Sequence, residues 1–137
     1  MNLHIAICDD SPVHQQIIQS EIENALKLPY DITLFSSGMR FLEEISDGKC
    51  PYNIVFMDVA LGEGDPSGIL VAKKISCANP MAQIIFISQY LEFASDVYET
   101  AHVYFIAKDR LPELLEKALN TALFNLSQSE QQSLYFK

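Results

Sequence analysis

The 137 residues contain no tryptophan, only five glycines and only nine lysines and arginines. Those nine bases face 18 acids, a formal charge of −9, and they are spread from Lys27 to Lys137 without forming a patch. A protein that grips a nucleic-acid backbone needs clustered cations to displace counterions, so nucleic-acid binding by this stretch alone is disfavoured. There is no apolar run near the roughly 18–20 residues that span a bilayer. No lysine or arginine precedes Lys27, so a cleaved signal peptide and a membrane association are not expected and a cytoplasmic location is. Three cysteines, Cys8, Cys50 and Cys77, make an odd count without C-x-x-C spacing, which fits reduced thiols better than a disulfide frame or a zinc site. What remains, 49% hydrophobic and 20% charged residues, suits one globular domain with its own core.

Short apolar runs alternate with longer amphipathic ones. LHIAIC (3–8) reads as a strand ending at Asp9-Asp10. Ser11-Pro12 then reads as an N-cap with proline at the first helical position, where its missing N–H costs nothing. Val13, Ile17, Ile18, Ile22, Ala25 and Leu26 recur with helical period to about Leu28. YDITLF (30–35) is a second strand, and Ser36-Ser37-Gly38 opens a helix ending near Gly48. YNIVFM (52–57) is a third strand running into Asp58, followed by the loop LGEGDPSG and a helix carrying Ile69 to Ile75. QIIFIS (83–88) and VYFIA (103–107) are strands four and five, separated by a weaker helical stretch from about Leu91 to Glu99. A last helix begins near Leu111-Pro112. Strands that each lead into a helix predict an α/β fold with a parallel, doubly wound sheet covered on both faces.

In such a sheet the chemistry collects at the carboxyl ends of the strands. Here those ends carry Asp9-Asp10, Asp58, Ser88 and Lys108. Neighbouring carboxylates repel by about 3–4 kcal/mol at 4–5 Å and an effective dielectric of 20, so the group calls for a cation. Oxygen ligands alone favour Mg²⁺, which leaves room for a phosphate. The three histidines, His4, His14 and His102, end no strand, so zinc is not suggested, and His4 and His14 are expected as surface or packed residues. With the metal, Lys108 offers a point charge, Ser88 a hydrogen bond and one carboxylate a nucleophile, which predicts an acyl phosphate on an aspartate.

IAICDDS, IVFMD, IIFIS and FIAK, taken together, resemble the receiver domains of two-component response regulators over roughly residues 2–124. The resemblance implies a flavodoxin-like (βα)5 sheet of order 2-1-3-4-5, an order that comes with the family rather than from the pattern alone. It implies that Asp58 accepts a phosphoryl group from a sensor histidine kinase. Asp10, Asp58 and the backbone carbonyl of Ala60 would hold Mg²⁺, with Asp9 acting through a water. Ser88 and Lys108 would contact the phosphoryl oxygens, and Phe105 takes the place of the family's switch aromatic, though it also reads as a plain core residue. The domain would be regulatory, not an enzyme in its own right, and dimerisation on activation is a further expectation.

The loop VALGEGDPSGI after Asp58 is longer than the common Met-Pro turn and resembles receivers that precede LytTR-type DNA-binding domains. Residues 1–124 would then be the receiver, and polar residues 125–137 a linker and the start of a truncated output domain. Three positions depart from the family: Asp109 replaces the usual proline, Gln89 replaces a small residue, and Ser88 replaces threonine. A cis bond before a residue other than proline costs about 2.5–4 kcal/mol, so a trans 108–109 peptide is expected, with Asp109 competing for Lys108. Rival readings are a Mg²⁺-dependent aspartyl-phosphate phosphohydrolase and a signalling-impaired receiver acting as a protein-interaction module. The first lacks a second aspartate at Ala60 for acid/base work. A flavin binder would be repelled by Asp9-Asp10.

Overall fold

A computed structural model describes residues 2–62, 64–88 and 104–135. Five parallel strands, β1 (Leu3–Cys8), β2 (Tyr30–Phe35), β3 (Ile54–Asp58), β4 (Gln83–Ser88) and β5 (Tyr104–Ala107), lie in the order β2-β1-β3-β4-β5. The helices among the described residues are α1 (Pro12–Ala25), α2 (Gly38–Glu44), α3 (Gly68–Ala78) and α4 (Leu111–Tyr135). The doubly wound flavodoxin-like sheet expected from the sequence is what forms. The stretch 91–99, with Gln89, His102 and Val103, lies outside the described residues.

The alternation of side chains along each strand splits the core in two. Ala6, Cys8, Val55, Met57, Ile84 and Phe86 pack on one face with Phe41 of α2 and Val71 and Ile75 of α3. Leu3, Ile5, Ile7, Ile54, Phe56 and Ile85 pack on the other, against Ile18 and Ile22 of α1 and Leu115 and Leu119 of α4. Because β3 and β4 are covered on both sides, their residues show no polar alternation.

Three serines start helices as N-caps: the hydroxyls of Ser11, Ser37 and Ser67 accept from the backbone N–H groups of His14, Arg40 and Leu70. Two helices stop earlier than their periodicity suggests. Leu26 leaves α1 in an extended conformation and buries itself, three residues before Pro29. The second helix ends at Glu44 with Ile45 as its cap, not near Gly48. At the other end of the chain the difference is reversed. The polar residues expected as a linker from Asn125 continue α4 to Tyr135. Leu126 is still buried in the α1-side core, and the Asn125 amide donates to Gln83 Oε1 at 3.0 Å. No helix among the described residues is long and apolar enough to cross a membrane.

Candidate functional site

Strand order reverses between β1 and β3, and the crevice at their carboxyl ends is where an open α/β sheet presents its binding groups. Asp9 and Asp10 leave β1 there and Asp58 closes β3. One carboxylate oxygen from each of the three lies within 4.8 Å of the others. Asp10 is exposed, whereas Asp9 and Asp58 are buried at 1% and 4% exposure.

Backbone hydrogen bonds hold these acids in place. The Asp9 N–H donates to the Phe35 carbonyl at 3.0 Å, and Asp9 Oδ1 accepts from the Ser11 N–H at 2.9 Å. The Asp9 carbonyl accepts from the buried Gln15 amide at 2.7 Å. Asp58 Oδ1 accepts from the Ala60 N–H at 3.1 Å, and Oδ2 accepts from Lys108 Nζ at 3.0 Å. Lys108 Nζ is also 3.3 Å from Asp9 Oδ2, a buried oxygen that has no hydrogen-bond partner among the described residues. Burial and the Asp9 charge push the Asp58 carboxyl up to about 6, against the opposing pull of Lys108 and the Ala60 N–H.

The loop after Asp58 is shaped by close approach. Gly68, the first residue of α3, donates its N–H to the Val59 carbonyl at 2.9 Å. A Cβ at Gly68 would stand 2.0 Å from the Asp58 carbonyl oxygen, so only glycine fits. Gly62 has φ +109, a conformation open to glycine, and lies beside Asp10 Oδ2. Asp65 ties the loop to the start of α2, accepting from the Gly38 and Met39 N–H groups at 2.6 and 3.0 Å.

The remaining candidates fall into place around this centre. Ser88 is fully buried at the end of β4, one residue beyond the Asp58–Ile87 pairing. Phe105 is half-buried, paired with Phe86 in register and packed against the α2–α3 side of the core. Lys108 opens a single 3-10 turn, Lys108–Arg110, in which Asp109 is exposed. No cis peptide occurs among the described residues, so the 108–109 bond is trans as expected. The expected competition from Asp109 is not what forms: the ion pairs of Lys108 among the described residues are with Asp58 and Asp9.

His14, expected as a surface or packed residue, lines the cleft with Asp10, Ser11, Asp58, Gly62 and Lys108. Its Nδ1 is 3.1 Å from Lys108 Nζ. The usable signal was position: His14 follows the acid pair by four residues and so falls on the first turn of the helix that starts at the pocket. Gln15, one position on, holds the Asp9 carbonyl from the same turn.

Residues 5–120 match the family model of the response regulator receiver domain. The chain belongs to the response regulator receiver family. Among curated proteins the receiver is similar to accessory gene regulator protein A of Staphylococcus epidermidis strain RP62A, 28% identical over 117 residues. That match covers 82% of this chain and 49% of the relative, so the receiver spans about half the length of the curated relatives it matches. Among solved structures it resembles a CheY-like receiver domain protein from Methanospirillum hungatei JF-1, at 19% identity and TM-score 0.76, covering 93% of this chain and 99% of that one. It also resembles a Burkholderia pseudomallei response regulator with a phosphorylated aspartic acid and a calcium ion, at 18% identity and TM-score 0.70, covering 98% and 75% of the two chains. At these identities the structural likenesses establish the fold.

Proposed function

We propose that this receiver is a phosphorylation-controlled signalling switch in which Asp58 accepts a phosphoryl group from a phosphohistidine on a sensor histidine kinase. The observation that carries this reading is the buried Asp58 carboxylate with Asp9 and Asp10 oxygens within 4.8 Å and the Lys108 ammonium at 3.0 Å. In the transfer, an Asp58 oxygen forms a bond to phosphorus while the phosphorus–nitrogen bond of the donor breaks. The electron pair stays on the imidazole, which takes up a proton. Catalysis of this kind is positioning and charge stabilisation, and Lys108 and Ser88 are the groups assigned to the phosphoryl oxygens.

The donor set suits a hard cation: all the groups offered are oxygens, and buried Asp9 Oδ2, ion-paired with Lys108 at 3.3 Å, has no hydrogen-bond partner among the described residues. Asp10, Asp58 and the Ala60 carbonyl would hold Mg²⁺, with Asp9 reaching it through water. The ion would neutralise the charge between the carboxylate and the incoming phosphoryl group. The calcium ion and phosphorylated aspartate of the Burkholderia pseudomallei relative support this reading.

Downstream, the reading assigns residues 1–124 to the receiver and 125–137 to a connector toward an output domain of LytTR type that binds DNA. The long loop after Asp58 and the similarity to accessory gene regulator protein A support that assignment. The setting is cytoplasmic, with a regulatory rather than metabolic role and dimerisation on activation. Phe105, on the strand paired with the one that ends in Ser88, is assigned the switch position. Asp109 was the ground for an impaired receiver, and that ground weakens with Lys108 already on Asp58. Incubation with beryllofluoride and Mg²⁺ tests the site: wild type should show a saturable change in its amide NMR spectrum centred on the cleft, and Asp58→Asn should show none. An equal response in both would sink the assignment.

A further inference from the structure

Lys108 has to reach the phosphoryl group, yet it lacks the proline that follows this lysine in the family and sits on a flexible four-carbon stem. An ammonium has three N–H donors and no lone pair. Its hydrogen bonds go to Asp58 Oδ2 at 3.0 Å and to His14 Nδ1 at 3.1 Å, and Asp9 Oδ2 faces it as an ion pair at 3.3 Å. Since lysine can only donate, Nδ1 must accept, which makes the ring neutral with its proton on Nε2.

The imidazole is itself anchored to the acid loop. His14 lies on the first turn of α1, its N–H bonded to Ser11 Oγ at 3.3 Å, while the Ser11 N–H bonds to Asp9 Oδ1 at 2.9 Å. One short segment therefore places both an acid of the pocket and the acceptor for the pocket's lysine. The choice of residue also makes chemical sense. A carboxylate at position 14 would add a further negative charge to three that already repel, and would compete for a cation. An aliphatic side chain would offer no acceptor. A neutral imidazole holds the ammonium and changes neither balance.

We infer that His14 is a positioning residue for phosphoryl transfer: its Nδ1 holds the Lys108 ammonium in place over Asp58. The inference rests on the reading of Asp58 as phosphoacceptor. It is specific to this chain's pairing of a histidine on the first turn of α1 with a lysine that has no proline behind it.

The test follows phosphorylation of the full chain by acetyl phosphate with Mg²⁺, using intact-protein mass spectrometry to obtain rates. The proteins are wild type, Asp58→Asn, His14→Leu, His14→Asn, Lys108→Ala and the Lys108→Ala/His14→Leu double variant, each checked for fold by circular dichroism. His14→Leu should slow labelling about tenfold, the scale of a lost hydrogen bond to a charged group. His14→Asn, whose amide oxygen can accept from the ammonium, should stay within about threefold of wild type. With Lys108 removed, His14→Leu should change the rate less than twofold, because its effect runs through the lysine. The inference is overturned if His14→Leu labels at the wild-type rate, if Asn is as slow as Leu, or if the loss persists without Lys108. Wild type that takes no label, or Asp58→Asn that labels equally, instead removes the phosphoacceptor reading and the inference with it.

Discussion

Replacing Asp58 by asparagine should stabilise the metal-free protein at neutral pH. In the folded chain burial and the Asp9 charge raise the Asp58 carboxyl from 3.8 to about 6, even with Lys108 hydrogen-bonded to it. The native state therefore holds a proton that the unfolded state gives up between about pH 4 and 6. Stability from this group is complete below pH 4, falls as pH rises through 6 and stays lost above it. At 1.36 kcal/mol per pH unit, the ionised carboxylate costs the native state about 3 kcal/mol at pH 7.5. Asparagine keeps the shape and removes the charge, but its single amide oxygen can accept from only one of Lys108 and the Ala60 N–H, which bond to separate Asp58 oxygens; the lost bond takes back about 1 kcal/mol. Urea unfolding followed by far-UV circular dichroism, in a chelator, should give Asp58→Asn about 2 kcal/mol more stability than wild type at pH 7.5. The gap should shrink toward pH 5. Added Mg²⁺ should narrow it at pH 7.5 by stabilising wild type in proportion to the logarithm of its concentration. Equal stabilities at pH 7.5, or a less stable variant, would refute the claim that the acid cluster is strained without a cation.

Other outcomes follow from single contacts. Gly68→Ala places a methyl group 2.0 Å from the Asp58 carbonyl oxygen and should cost about 2 kcal/mol or more in urea unfolding; a change within 0.5 kcal/mol would mean the loop yields easily. Asp65→Ala removes the acceptor for the Gly38 and Met39 N–H groups and should cost about 1–2 kcal/mol, with no loss if that cap is dispensable. Among the thiols, exposed Cys77 should alkylate fastest at pH 8. Cys8, pushed up to about 12 by burial and the nearby acids, and Cys50, pushed up by burial, should react only on unfolding. Fast modification of Cys8 in the native protein would contradict its buried place in β1.

Much of this architecture could be read from the chain because the strong signals are local. Apolar runs that stop at Asp9-Asp10, Asp58, Ser88 and Lys108 mark strands and their carboxyl ends at once. Serine before an amphipathic segment marks the starts of α1 and α2. What escaped depends on tertiary contact. Composition cannot tell a linker from the solvent-facing side of a helix, so α4 was cut short at Asn125, although Leu126 continues its buried stripe. Leu26 was counted in α1 because it is apolar and in phase, yet it is buried in an extended conformation after the helix. His14 and Gln15 carry no strand-end signature. His14 lines the cleft and Gln15 holds the Asp9 carbonyl because α1 begins at the pocket's edge, which no strand-end pattern reveals.

The central claim is that Asp58 is the group that takes the phosphoryl. Wild type incubated with acetyl phosphate and Mg²⁺, digested and mapped by mass spectrometry, should carry one phosphoryl group on the peptide containing Asp58. The label should be removed by hydroxylamine, as an acyl phosphate requires, and should be absent with excess chelator. A phosphoryl group on another residue, or one that persists in Asp58→Asn, would contradict the account.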